Sequence, residues 1–473
     1  MAVVTVSPKL PPALDPGFLP AALWNRAYRD AVAASSGANL ALALERSDGL
    51  VSVYRTAVLP HCGGNVGLNH RYVERLLKFL LWQKGGYRVT AGGDPEIASY
   101  LQSIYAPHGP RAFDHHFVGE KVYGCPLIVE STSFDRVPAE RETAAPLGRH
   151  LDGFRIGFDL GASDRKCAAV IEGQVVFSEE VPWNPGLQSD PRYHWEGIQD
   201  SLERAAAQLP RVDAIGGSAA GVYVGNEVRA GSLYRSVPPL LFEKHVRRLF
   251  FDLQKQWGGI PFQVVNDGEV TALAGSMALG ENAVLGIAMG SSLAAGFVTA
   301  QGGLTTWLNE LAFVPVDYRG DAPPDEWSGD LGVGVQYFSQ QAVGRLLAPA
   351  GIDVPKDMPL PARLEQVQKL AAAGDPRAGR IYETIGAYLG YAIAHFTDFY
   401  DFRNLLVLGR VMSGEGGGLI LGVARQVLQA EFPELEERVR FSIPSEQEKR
   451  HGQAIAAASL PAIPAPGKTH AIS

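Results

Sequence analysis

The spacing of hydrophobic positions changes repeatedly along the chain, and each change marks a new element. After a proline-rich start, "AALWNRAYRDAVAASSG" repeats its apolar residues at helical intervals. "NLALALERSDG" and "LVSVYRTAVLP" read as strands, and the Ser-Asp-Gly between them predicts a hairpin. "RYVERLLKFLLWQKGG" returns to helical spacing with Gly-Gly as its C-cap. "YRVTAGG" then reads as a strand and "DPEIASYLQSIYAP" as a helix opened by Asp-Pro. These blocks predict an α/β module over residues 1–150. Its end, residues 130–153, is polar, contains proline and shows no period, which predicts a linker.

Past the linker, "FRIGFDLGASDRKCAAVIEGQVVFSEEVPW" alternates as three strands joined by two glycine-containing turns. "WEGIQDSLERAAAQLP" is a helix, "VDAIGGSAAGVYV" a strand and "LLFEKHVRRLFFDLQKQWG" a helix. "IPFQVVNDG" ends a strand, and "EVTALAGSMALG" is a helix of small residues. Residues 282–304, "NAVLGIAMGSSLAAGFVTAQGGL", repeat the strand, glycine-serine turn, strand device. A long apolar helix, "YETIGAYLGYAIAHFTDFYDF", precedes a strand, glycine-rich loop and helix, "RNLLVLGRVMSGEGGGLILGVARQVLQAEF". Two halves built on one device predict two lobes, 151–284 and 285–473, facing each other across a cleft suited to a nucleotide's phosphates.

Composition narrows the class. A chain of 473 residues suits two or three domains, and 46% hydrophobic against 19% charged residues suits large cores. The formal net charge of −8 disfavours a nucleic-acid binder. Three cysteines without CxxC spacing exclude a disulfide framework and a cysteine-rich zinc module, and fit a reducing cytoplasm. No signal segment or membrane-length apolar run is read, so a cytoplasmic protein without a membrane partner is expected.

Four segments carry candidate chemistry. In "DLGASDRK", Asp159 ends a strand ahead of Gly161 and Ser163, a turn slim enough for backbone N–H groups to approach phosphate. An aspartate repels phosphate, so Asp159 would act through Mg²⁺ or its water. "MGSSLAAG" offers Gly290 and Ser291, and "GRVMSGEGGG" offers Gly409, Gly416 and Gly417 before a helix whose N-terminus favours an anion. In "VVNDGEVTALAGS", Asp267 follows a strand in an Asp-Gly pair. Each alone is equally an ordinary turn.

Their order resembles the ROK family (repressors, open reading frames, kinases) of the actin-like, hexokinase-like ATPase superfamily, over residues 154–460. The resemblance implies a two-lobed actin-like (ribonuclease H-like) ATPase fold with an extra N-terminal α/β module. It also implies ATP, Mg²⁺ and a sugar or polyol as ligands. Asp267 matches the general base that takes the proton of the attacking sugar hydroxyl. Asn266 matches a sugar-binding neighbour, and Glu310 in "NELAFVPVD" a sugar-binding glutamate. Asp159, Gly161 and Ser163 match the first phosphate loop, with Asp159 towards the metal. Gly290 and Ser291 match the second phosphate loop, and Gly409, Gly416 and Gly417 the region near the adenosine.

Three departures stand out. Phe313 occupies the family's histidine position, and "DEWSGDLGVGVQYFSQQ" lacks the cysteines of its zinc loop, so no zinc is expected. Glu269 replaces an asparagine beside the base, a second carboxylate placed with the substrate-binding set. The first loop is expanded and carries Asp164, a spacing that also resembles the "DxGSTxxK" turn of activator-type ATPases. The expectation is a sugar kinase, with a non-catalytic sugar-responsive regulator as the alternative. A homodimer or other homo-oligomer is expected, with residues 1–150 as a cap or oligomerisation module rather than a helix-turn-helix. His61, His70, His108, His115 and His116 show no tight ligand spacing and are expected as surface or core histidines.

Overall fold

The computed structural model describes residues 4–47, 49–143, 147–442 and 446–464. Residues 144–146 of the expected linker and 465–473 of the expected second lobe lie outside them. The chain forms two compact units. One combines Met1–Thr143 with Ile287–Ala295 and Trp307–Ser442. The other combines Ala144–Gly286 with Gly296–Thr306 and Ile443–Ser473.

In the first unit, helix α1 (Ala21–Ala33) precedes strands β1 (Ala38–Glu45) and β2 (Val51–Val58), which pair antiparallel as the hairpin signal predicts. Helix α2 (Asn65–Lys84) ends at Gly85, whose φ of 77° and N–H to the Leu81 carbonyl make the C-cap. Strand β3 (Arg88–Gly92) follows, then helix α3 (Pro95–Ile104), where the Asp94 side chain accepts from the Glu96 N–H. The sheet order is β2-β1-β3-β4, β4 being Ile128–Thr132, parallel to β3. β4 corrects the expected linker, which begins in a strand. It is a half-exposed edge strand, so its polar residues hide the strand period. Arg141, further along the same segment, bridges to Val51 of β2.

The N-terminal segment is bound to later parts of this unit by charge and hydrogen bonding. Asp15 pairs with Arg319 and Arg345 and accepts from the Tyr388 hydroxyl at 2.7 Å. Helices Pro376–Phe396 and Glu415–Glu431 pack closely because Gly386 and Gly390 leave room for the second helix's backbone.

In the second unit, β5 (Phe154–Leu160), β6 (Asp164–Ile171) and β7 (Gln174–Pro182) form the expected meander. β8 (Ala214–Ala219) and β11 (Phe262–Asn266) lie parallel to β5, giving the order β11-β8-β5-β6-β7. β9 (Val222–Val224) and β10 (Glu227–Ala230) pair separately. "VDAIGGSAAGVYV" is therefore two strands. The break falls at Gly221, whose φ is 137° and whose carbonyl accepts from the Asn266 side chain. The expected helix over "LLFEKHVRRLFFDLQKQWG" is also broken, with a π-helical turn at Phe242–Val246 before Leu249–Gln256. The Arg247 carbonyl leaves the helix ladder there to accept from Val228 of β10.

β12 (Val284–Met289) and β13 (Leu293–Val298) are the repeated device, in a sheet ordered β13-β12-β14-β15 with β14 (Asn404–Leu408) and β15 (Arg440–Ser442). Among the described residues, no helix is long and apolar enough to cross a membrane.

Candidate functional site

Three parallel strands, β5, β8 and β11, bring their C-terminal ends into register, the end of an α/β sheet where ligands bind. Asp159 lies opposite Ser218 in that register, and the Ser218 hydroxyl donates to Asp159 Oδ1 at 2.6 Å. On its other side Asp159 faces Lys166 of β6. β11 ends at Asn266, which caps the helix Asp267–Leu279: its Oδ1 accepts from the Gly268 N–H at 2.7 Å. Its Nδ2 donates to the Gly221 carbonyl at 2.7 Å. Both polar ends of Asn266 are thus engaged within the fold.

Asp267 is the first helical residue rather than a turn residue ahead of the helix. The Asn266 cap makes the helix start two residues earlier than the apolar period suggests. The half-buried Asp267 carboxyl is pushed up to about 6, first by burial and then by the charge of Asp159, against the Gly268 N–H. Burial raises Asp159 too; Asp164 and Glu180 add to this, while Ser218 and Lys166 oppose it. Glu269 is buried in the same turn. There the helix lies so close to β13 that a Cβ on Gly296 would overlap the Gly268 carbonyl and stand 2.6 Å from the Glu269 Cα.

Gly161 and Ser163 form the tight turn between β5 and β6. The Gly161 N–H donates to the Asp164 carbonyl at 2.9 Å, and the Ser163 hydroxyl donates to Asp164 Oδ2 at 2.8 Å. Asp164 also pairs with Lys166 at 3.3 Å. This surplus of carboxylates around one lysine is the donor set that a divalent cation would neutralise, so the residues fit Mg²⁺.

In the first unit, Gly290 and Ser291 form the turn between β12 and β13, with Ser291 exposed. The Gly290 carbonyl accepts from Gln340 at 2.9 Å. Gly409 follows β14 with φ 104°, and its Cα lies so close to the Met289 backbone that no side chain fits. The helix Glu415–Glu431 then begins without a side-chain cap, Gly416 against the Tyr382 ring and Gly417 against the Met412 carbonyl. Its N–H groups suit an anionic ligand.

Glu310 is held by α2: its N–H donates to the Trp82 carbonyl at 2.9 Å, and the Asn309 N–H donates to Gln83 at 3.0 Å. Asn309, at φ 53°, accepts from the Tyr400 hydroxyl at 3.0 Å. Phe313 stacks on Trp82 with ring centres 4.2 Å apart, and packs with Phe113, Phe117 and Trp327. The cysteine-free segment beyond it is tied down by charge. Asp330 pairs with Lys78 at 2.9 Å and with Arg75 and Arg111.

Sequence reasoning missed Ser218, whose only signal is its place in the small-residue strand "AIGGSA". It also missed the Asp330 network, which depends on α2, distant in sequence. His115 is buried and His116 exposed, within the expected core and surface roles, and the two come together with Glu120.

No protein-family model matches the chain, and no curated protein matches it in sequence. Solved structures do match in fold. A ROK hexokinase from Thermus thermophilus superposes with a TM-score of 0.50 at 19% identity, over 64% of this chain and 97% of its own. A ROK family transcriptional regulator, homolog of the E. coli MLC protein, gives 0.52 at 20%, over 66% of this chain and 79% of its own. The chain therefore has the α/β, actin-like ATPase fold of ROK proteins.

Proposed function

We propose that the protein is a ROK-type sugar kinase, transferring the γ-phosphate of ATP to a sugar or polyol hydroxyl. The observation that carries this reading is Asp267, a half-buried carboxyl at the end of a parallel strand and the start of a helix, pushed up to about 6. A base titrating just below neutral pH is ionised in use yet still accepts a proton as a hydroxyl attacks. In this reading the substrate oxygen forms a bond to the γ-phosphorus, the bond to the ADP oxygen breaks, and the hydroxyl proton passes to Asp267. Positioning dominates such a reaction, because its transition state is loose.

Mg²⁺ would supply charge neutralisation on the phosphates, and Asp159, fixed by Ser218, is the residue to hold it. Glu310 would accept hydrogen bonds from sugar hydroxyls, and Asn266, which also caps the helix that begins with the base, would contact the sugar. The turn at Gly290 and Ser291 and the uncapped helix after Gly414 would receive the nucleotide. Asp267→Asn should abolish ADP release with any accepted sugar while leaving the protein folded. Full turnover in that variant would remove Asp267 from the role.

A second reading is a sugar-responsive regulator without turnover. It is supported by the Ser163 hydroxyl, which is committed to Asp164 in the first loop. The fold likeness to a ROK transcriptional regulator points the same way. Across a sugar panel, ligand-raised melting without ADP release would favour this second reading.

A further inference from the structure

The sugar-kinase reading makes no use of a group in the N-terminal segment, and we propose that His115, His116 and Glu120 bind a zinc-type divalent cation. Among the described residues they are the group of three or more His, Cys, Asp or Glu side chains whose donor atoms converge, all within 4.8 Å. The convergence has a backbone cause. His115–Tyr123 is a π-helix, whose hydrogen bonds close five residues on, so residues five apart stack along it. His115 and Glu120 are such a pair; with the tighter winding of an α-helix, Glu120 would move away from His115.

Hydrogen bonds to backbone carbonyls orient both imidazoles. His115 Nδ1 lies 2.9 Å from the Tyr105 carbonyl oxygen. A carbonyl only accepts, so that nitrogen carries the hydrogen and Nε2 keeps its lone pair. His116 is hydrogen-bonded through both nitrogens, Nε2 donating to the Pro107 carbonyl at 3.0 Å and Nδ1 lying 3.0 Å from Glu120 Oε2, so a hydrogen lies between Nδ1 and Glu120 that a bound cation would displace. His115 Nε2 and His116 Nδ1 both face the Glu120 carboxylate, at 3.9 Å and 3.0 Å. Donation of the far N–H to a backbone carbonyl is how metal-bound histidines are oriented. The ligand set, two imidazoles and a carboxylate with room for water, suits zinc.

Burial divides the work among the three. The His115 side chain is 4% exposed and anchors the site, whereas His116 and Glu120 are 48% and 51% exposed and open to an incoming ion. The same helix carries Phe117, which packs on Trp82 and Phe313. A bound cation would fix the π-helical winding that presents Phe117.

The test is zinc competition against a chromophoric chelator with the full-length, metal-stripped protein. One tightly bound zinc per chain is expected, with a raised melting temperature. His116→Ala and Glu120→Gln should each weaken binding by more than about tenfold. Both side chains are exposed, so equal melting in chelator checks that the variants fold. Cobalt in place of zinc should give visible bands that both variants alter. Wild-type protein that fails to compete for zinc, or a double variant with unchanged affinity, would overturn the assignment. A failed kinase assay leaves it untouched, because the readout is binding alone.

Discussion

At Asp267 burial and the charge of Asp159 favour the neutral acid, while the Gly268 N–H favours the carboxylate. The first two prevail, and the carboxyl titrates at about 6. In the proposed role of base Asp267 must be ionised, so kcat/KM should rise about tenfold per pH unit below that point and level off above it. A flat profile between about pH 5 and pH 8 would contradict the assignment. Stability moves the opposite way. The folded state keeps a proton that an unfolded aspartate releases near pH ~3.9, so stability falls as pH rises from there through about 6. Asp267→Asn removes this penalty and should stabilise the protein by about 3 kcal/mol at neutral pH and by little near pH ~4. Melting curves at the two pH values check the sign. The resemblance to ROK proteins singles out Asp267, because its strand-end Asp-Gly alone reads as an ordinary turn. Its ionisation depends on Asp159 of another strand, and no local pattern carries that pairing.

The helix Asp267–Leu279 holds its first residue in place by two devices, the Asn266 cap and the close fit of Gly268 on Gly296. Gly296→Ala would drive a methyl group into the Gly268 carbonyl, and backbone rather than a flexible side chain must yield. A loss of roughly 1–3 kcal/mol is expected. A shift of Asp267 by about 1 Å would lower turnover by about 100-fold. A variant of normal stability and normal kcat would show that the contact does not position the base. Hairpins and helices with caps are legible in the chain, because Ser-Asp-Gly, Asp-Pro and Gly-Gly act locally. The broken elements are not. The strand is interrupted where Gly221 turns to meet Asn266, and the helix where Arg247 gives its carbonyl to Val228. Both partners come from elsewhere in the chain.

The first compact unit joins three separate stretches of the sequence, Met1–Thr143, Ile287–Ala295 and Trp307–Ser442, and charged groups carry much of that joining. Lys78 is 1% exposed on α2, between Asp114 at 2.7 Å and Asp330 at 2.9 Å. Trp82 donates to the same Asp114 at 2.7 Å. Burial opposes the charge on Asp330, but Lys78 and Arg75 override it and hold the carboxyl below its usual range. The resemblance to ROK proteins places a cysteine-bound zinc in the segment that Asp330 occupies; here ion pairs fasten that segment to α2. Such a buried set contributes little over a well-packed apolar equivalent, yet losing one member strands the others' charges. Lys78→Met keeps the volume and leaves Asp114 and Asp330 without their shared ammonium. A loss of about 3–5 kcal/mol follows, read as a lower melting temperature and faster hydrogen exchange in Asn65–Lys84. Added salt should not restore it, because buried charges are poorly screened. A variant that melts with the wild type would mean that packing alone holds the segment, with the ions as passengers.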